Sequence, residues 1–191
     1  MKIILKNGLR ISALTLSVIA AGSYGNELVA NGLYNETESY QTTRVAGDSC
    51  EITDQQQHML DLINQARTEA RTCGDEFYQA AVPLTWSCQL GSSAIAHTND
   101  MTTHNFFGHT GSDGLRAGDR ILASEYDWSH YGENIAAGFI FAEQAVDGFI
   151  EDAGHCKNIM NPDNTHFGSS MAFGTDLEYQ SYWTQLFSAP M

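Results

Sequence analysis

The segment Tyr179 to Phe187 sets the tightest limit on the fold. As a strand it turns Trp183, Gln185 and Phe187 to one side and Tyr182, Thr184 and Leu186 to the other. Both sides carry large apolar groups. Its sheet therefore needs helices above and below, and a three-layer α-β-α arrangement meets that need. Phe167 to Phe173 precedes it, and the intervening Gly174-Thr175-Asp176 predicts a hairpin.

The covering helices are legible from their periodicity. Thr53 to Gln56 matches a capping box, and Met59, Leu62, Ile63 and Ala66 follow at helical spacing, predicting a helix from about Asp54 to Arg71. Thr72-Cys73-Gly74 ends it, and a loop runs through Pro83. Leu84, Trp86, Leu90, Ala94, His97 and Met101 predict a second amphipathic helix to about His104. A short third helix is expected over Asp113–Ser124, and a fourth through Ala142, Val146, Phe149 and Ile150 to a stop at Ala153-Gly154. Tyr131 to Gly138 reads as a strand between them.

The ends of the chain are of different character. Lys2, Lys6 and Arg10 with the apolar run Ile11–Ala21 read as a signal peptide over residues 1–25, too short to span a bilayer. Residues 26–50 form a polar tail, in which Asn35-Glu36-Thr37 fits a glycosylation acceptor, and residues 51–191 form the folded domain. The processed protein is then secreted or periplasmic, with no transmembrane segment. Losing residues 1–25 removes three positive charges and no negative ones, which moves the formal net charge from −14 to −17. The cations left, Arg44, Arg67, Arg71, Arg116, Arg120 and Lys157, are scattered, which excludes a phosphate-binding surface and a nucleic-acid partner. Cys50, Cys73, Cys88 and Cys156 behind an export signal read as two disulfides, with three connectivities open.

Candidate chemistry gathers between Asn105 and His155. His109 follows Phe106-Phe107-Gly108, Glu133 sits in Gly132-Glu133-Asn134, and Asp152 and His155 flank Ala153-Gly154. These groups are costly to bury unpaired, so they are expected to converge on one cleft. His109, His155 and Glu133 are the residue types of an open zinc site. Glu133 could equally act as a general base or orient a histidine tautomer. Asp152, near a helix end where its charge opposes the dipole, requires a partner. His97 reads as a satisfied core histidine, and His58, His104, His130 and His166 have no evident companions. The sequence contains no H-E-x-x-H, no G-x-S-x-G and no phosphate-cradling G-x-x-x-x-G-K-[ST].

Taken in order, Leu60-x-x-Ile63-Asn64-x-x-Arg67, Leu84-x-Trp86, Ala96-His97-x-x-Asp100-Met101, Phe107-x-His109, Gly132-Glu133-Asn134-Ile135, Gly154-His155-x-x-Asn158-Ile159-Met160 and Tyr182-Trp183-Thr184-Gln185-x-Phe187 resemble the CAP superfamily, or SCP-like domains, bacterial branch. The resemblance spans about Ile52 to Phe187. It implies an α+β fold, a three-layer α-β-α sandwich with a small, mainly antiparallel sheet between helices. It also implies a cleft holding His109, His155, Glu133 and Asp152, in which the histidines take zinc in several members. Asp152 stands where many relatives have Glu, and Phe149 where Trp is usual. The resemblance further implies pairing of Cys73 with Cys156, and hence of Cys50 with Cys88. The function implied is a secreted, non-enzymatic binding or interaction module whose cleft binds a divalent metal, zinc first, with a lipid or an extracellular protein as partner. Two rivals are a zinc-dependent hydrolase using Glu133 as base, and a lipid or sterol carrier using Phe106, Phe107 and Phe139.

Overall fold

The computed structural model describes residues 2–4, 50–174 and 177–191, all of which fall within one structural unit. Most of the proposed leader, the polar tail with Asn35, Arg44, and the hairpin residues Thr175 and Asp176 lie outside the described residues.

Strand β7 (Ser181–Pro190) is the centre of the sheet. It runs antiparallel to β5 (Trp128–Ala137) on one side and to β6 (His166–Phe173) on the other. Short parallel strands finish the two edges: β4 (Thr85–Trp86) beside β6, and β1 (Lys2–Ile4) beside Ile135–Ala137. Strand β1 falls inside the stretch read as a leader, so cleavage after residue 25 would remove it from the sheet. Five helices cover the faces: α1 (Asp54–Arg67), α2 (Cys88–Thr103), α3 (Ala117–Ala123), α4 (Ala142–Glu151) and α5 (Ala153–Met160).

The alternation expected in the last strand organises the layers. Trp183 and Phe187 join Met59 and Ile63 of α1, Val146 and Phe149 of α4 and Ile159 of α5 in one core. Leu186 meets Leu90 and Ala94 of α2 and Ile121 of α3 in another, and Tyr182 packs with Met101 and Ile135. The polar members of the strand follow the same rule. Gln185 Nε2 donates to Met59 Sδ at 3.1 Å on the α1 side, while Thr184 Oγ1 accepts from Thr98 of α2 at 2.8 Å. Every side chain from Ser181 to Ser188 is buried, as a strand covered on both faces must be. The fold is thus an α+β three-layer sandwich.

The Asn64-x-x-Arg67 motif explains how α1 is tied down. Asn64 Nδ2 donates to the Leu84 carbonyl at 3.0 Å, and its Oδ1 accepts from the Leu84 amide at 2.7 Å. Arg67 is fully buried and, among the described residues, has no carboxylate at ion-pair distance. It donates instead to the carbonyls of Val82 (2.8 Å), Ile159 (2.5 Å), Asn161 (3.0 Å) and Asn164 (3.4 Å). Several of these lie at the C-terminal end of α5, where the helix dipole favours a cation. Burial pushes the guanidinium down to about 10, which leaves it charged at neutral pH.

Several boundaries differ from expectation. Helix α1 stops at Arg67, because Thr68 turns its hydroxyl to the Gln65 carbonyl (2.7 Å) and a hairpin of β2 (Arg71–Cys73) and β3 (Glu76–Tyr78) follows in place of a plain loop. Leu84 and Trp86 precede α2, since the amides of Thr85 and Ser87 donate to Thr165 and Phe167 and Ser87 then caps the helix. The third helix is confined to Ala117–Ala123. The fourth does not stop at Ala153-Gly154. It breaks at Asp152, and α5 begins there. The cysteines pair Cys50 with Cys88 and Cys73 with Cys156, with Cα–Cα separations of 5.7 and 5.4 Å.

Candidate functional site

The Gly132-Glu133-Asn134 stretch of β5 is the hub, and strand alternation determines what each residue can reach. Glu133, paired with Leu186 across the ladder, faces the side covered by α2 and α3. Its side chain is almost fully buried, and both carboxylate oxygens are engaged. His109 Nδ1 donates to Oε1 at 2.7 Å, and Arg120 Nη2 of α3 donates to Oε2 at 2.5 Å. Arg120 also donates to the carbonyls of Leu115 (2.8 Å) and His109 (3.3 Å), so one guanidinium clamps both ends of the His109 loop to the carboxylate. A carboxylate on Nδ1 keeps the imidazole proton there and puts the lone pair on Nε2.

Asn134 points the other way, toward α5. Its Nδ2 donates to the His155 carbonyl at 3.3 Å and to Gln185 Oε1 at 3.2 Å. Asn158 of α5 donates back to Asn134 Oδ1 (2.8 Å) and to the Glu133 carbonyl (3.3 Å). Gly132 makes this approach possible, because a Cβ there would sit 2.6 Å from Asn158 Oδ1. Adjacent residues of one strand thus serve both halves of the site. Glu133 holds His109, and Asn134 holds the backbone of His155.

Asp152 has a different role from the one its sequence position suggested. It is the N-cap of α5, and its Oδ1 accepts from the amides of Gly154 and His155, both at 3.0 Å. A negative charge at a helix N-terminus complements the dipole, so the expected penalty is a gain. His155 Nδ1 lies 3.2 Å from the same oxygen, within ion-pair range but not aligned as a hydrogen bond. The His155 ring is buried edge-on against Phe149, with centroids 5.1 Å apart.

The structure therefore assembles His109 with Glu133, and Asp152 with His155, and links the pairs through Asn134 and Asn158. Among the described residues, no three His, Cys, Asp or Glu side chains gather as a group that could hold a metal ion. Both oxygens of Glu133, expected among the metal ligands, are engaged by His109 and Arg120. Arg120 is the residue that sequence reading missed.

Three of the remaining histidines have partners far away in sequence, and His104 has one a helical turn earlier. His58 meets Glu143 at 2.8 Å, His104 meets Asp100 at 2.8 Å, His130 meets Asn164 at 2.9 Å and His166 meets the Tyr126 hydroxyl at 2.7 Å. His97 is fully buried. Its Nε2 is 2.9 Å from the Gly108 carbonyl, but its Nδ1 has no hydrogen-bond partner. Burial pushes its pKa down, against the opposing pull of the nearby Glu133 charge. Asp100 fixes the far end of the His109 loop by accepting from the Ser112 amide at 2.7 Å and hydroxyl at 2.5 Å. Burial raises the Asp100 carboxyl, but the Ser112 and His104 bonds outweigh it and leave the pKa below the ordinary value. Phe139 is buried and its carbonyl takes the Ser181 hydroxyl and the Trp183 indole, which removes it from any lipid-facing surface.

Comparison with known proteins adds a second line. The family model for CAP, the cysteine-rich secretory protein family, matches residues 60–187. The chain is 30% identical over 135 residues to the uncharacterized membrane protein YlbC of Bacillus subtilis (strain 168), a match covering 71% of this chain and 34% of that one. It is 34% identical over 109 residues to the uncharacterized protein YkwD of the same organism, covering 57% and 40%. The match thus spans well under half the length of these curated relatives. Among solved structures, an extracellular protein containing an SCP domain from Bacillus anthracis str. Ames aligns with a TM-score of 0.58 and 28% identity over 70% of this chain and 40% of that one. An outer surface protein from Borrelia burgdorferi aligns with a TM-score of 0.58 and 17% identity over 71% and 92%, a likeness of fold alone. No helix among the described residues is long and apolar enough to cross a membrane.

Proposed function

This chain belongs to the CAP family of cysteine-rich secretory proteins, and we propose on that footing that it is an exported, non-enzymatic binding module whose cleft presents the imidazoles of His109 and His155 to a divalent metal ion, zinc first. The observation that carries the reading is the engagement of Glu133. With His109 on one oxygen, Arg120 on the other and its side chain almost fully buried, the carboxylate is paired with a cation and committed to holding His109, which disfavours it as a base for an attacking water. It serves as an orienting carboxylate, which favours ligation over hydrolysis. A bound metal would supply a Lewis-acidic centre held by two imidazoles, and solvent or the ligand's own groups would complete its coordination. The residues act around it: Glu133 fixes the His109 tautomer, Arg120 fixes Glu133, and Asp152 with Asn134 fixes the helix that carries His155. Export rests on the leader-like N-terminus and on two disulfides with no free cysteine among the described residues.

Zinc titration calorimetry on the purified protein, beside a His109→Ala, His155→Ala double variant, tests the metal. Binding by the wild type alone supports the reading, and equal binding by both overturns it. A Glu133→Gln variant separates the roles. As an outer partner its loss should weaken zinc roughly tenfold to a hundredfold without abolishing binding.

A further inference from the structure

Between the extended run Glu76–Ala80 and the end of α5 lies a groove of about 530 Å³. That falls within the roughly 300–1,000 Å³ usual for small-molecule sites. Its walls are held in place from behind. Cys73–Cys156 ties the hairpin to α5, and Arg67 grips the carbonyls of Ile159 and Asn161 where the helix ends. A preformed groove spares a ligand the cost of ordering its site.

The chemistry of the lining narrows the occupant. Gln79 and Asn161 bring amide side chains able to donate and to accept, while Asn158 turns its own amide to Glu133 and Asn134. Lys157 Nζ sits 2.9 Å from Glu76 Oε2, so the two charges at the groove cancel. That bond holds the Glu76 carboxyl below its ordinary pKa and the Lys157 ammonium above its own, so both stay charged at neutral pH. An anion would meet Glu76 on a chain of net charge −14, and a metal ion would meet Lys157. A lipid tail would find little apolar wall, since Met160 is buried in the core and Phe77 and Pro162 alternate with amides and charges. Phe77, 61% exposed, stands at the groove with no packing role in the core clusters. An uncharged ligand with many hydroxyls and an apolar face fits this set.

We propose that this groove is a binding site for a neutral hexose-based oligosaccharide, separate from the imidazole cleft. Sugar hydroxyls exchange hydrogen bonds with the amides of Gln79 and Asn161 and with the Glu76–Lys157 pair. The C–H faces of the rings rest on the exposed Phe77 and Pro162.

The test is an amide NMR titration of the whole protein with cellotetraose, maltotetraose and chitotetraose in turn. The expected result is shifts confined to residues 76–80 and 157–162 with at least one sugar. Gln79→Ala and Phe77→Ala should each weaken that sugar roughly tenfold, the cost of about one lost contact of this kind. Both positions are exposed, so the unfolding midpoint should not move. Chelation by EDTA should leave sugar binding intact, which separates this site from the proposed metal cleft. The proposal is overturned by no shift with any of the three sugars, by shifts that both variants leave unchanged, or by a response at these residues to an extended tetrapeptide alone.

Discussion

The protein buries two arginines and neutralises them in opposite ways. Arg67, fully enclosed, is held by four main-chain carbonyls. Arg120, 7% exposed, shares its charge with the carboxylate of Glu133. The first arrangement has no titratable partner and spans three segments of backbone, so it fastens α1, the loop at Val82 and the end of α5 into one body. The second has a titratable partner that also grips a histidine. The difference separates scaffold from site: carbonyls hold a cation without titrating themselves, whereas a carboxylate couples it to whatever else the carboxylate touches.

The largest effect should come from breaking the scaffold knot. Arg67→Ala leaves four carbonyls, two of them buried, without their donor and should cost about 3–5 kcal/mol, read as a fall in the urea unfolding midpoint. Arg67→Lys should recover little of it, because a point ammonium cannot reproduce the fork. Arg120→Met should cost less, about 2–3 kcal/mol, since His109 still contacts Glu133 after the change. A double-mutant cycle with Glu133→Gln sharpens the contrast. Coupling near zero would mean that Arg120 is also a scaffold residue held by carbonyls.

A smaller effect is expected at Asp152. Asp152→Ala should cost about 1 kcal/mol, the value of a lost N-cap, and Asp152→Ser should restore most of it. An equal loss in Asp152→Ser and Asp152→Ala would show that the charge beside His155, not the cap, matters.

Acid gives the finest discrimination. Burial lowers the His97 pKa in the folded protein, so below the ordinary histidine value the unfolded chain binds a proton that the native state refuses. Stability is then complete above about pH 6.5 and falls as the pH drops from there toward the lowered folded value, at most about 1.4 kcal/mol per pH unit. His97→Gln should flatten this part of the profile. An unchanged slope in that variant would move the acid sensitivity elsewhere. Asp100 acts at lower pH: its folded pKa is depressed, so its contribution is present above about pH 4 and lost as the pH falls further.

The fold was legible where a single segment carried a complete pattern. The two apolar faces of residues 182–187 called for helices on both sides of the sheet, and α1 and β6 fell close to their expected places. The site was legible as a set of residues but not as a set of bonds. Arg120 lies thirteen positions from Glu133 on another element, and nothing local marks it. The available signal was physical: a carboxylate set among buried residues demands a cation, and the sequence after residue 25 has only six. Asp152 was misread because Ala153-Gly154 resembles a helix stop. Its side chain instead captures the next two amides, turning an end into a beginning. The partners of His58, His130 and His166 lie 85, 34 and 40 residues away, beyond any periodicity argument.

The central position of β7 also dictates an order of events during synthesis. The strand that joins β5 to β6 is the last of the sheet to be made. Until it emerges, those two strands have no common neighbour, and the core side chains of both layers have nothing to close on. A nascent chain ending before Ser181 is thus an incomplete sandwich with two open edges, a form prone to misassociation.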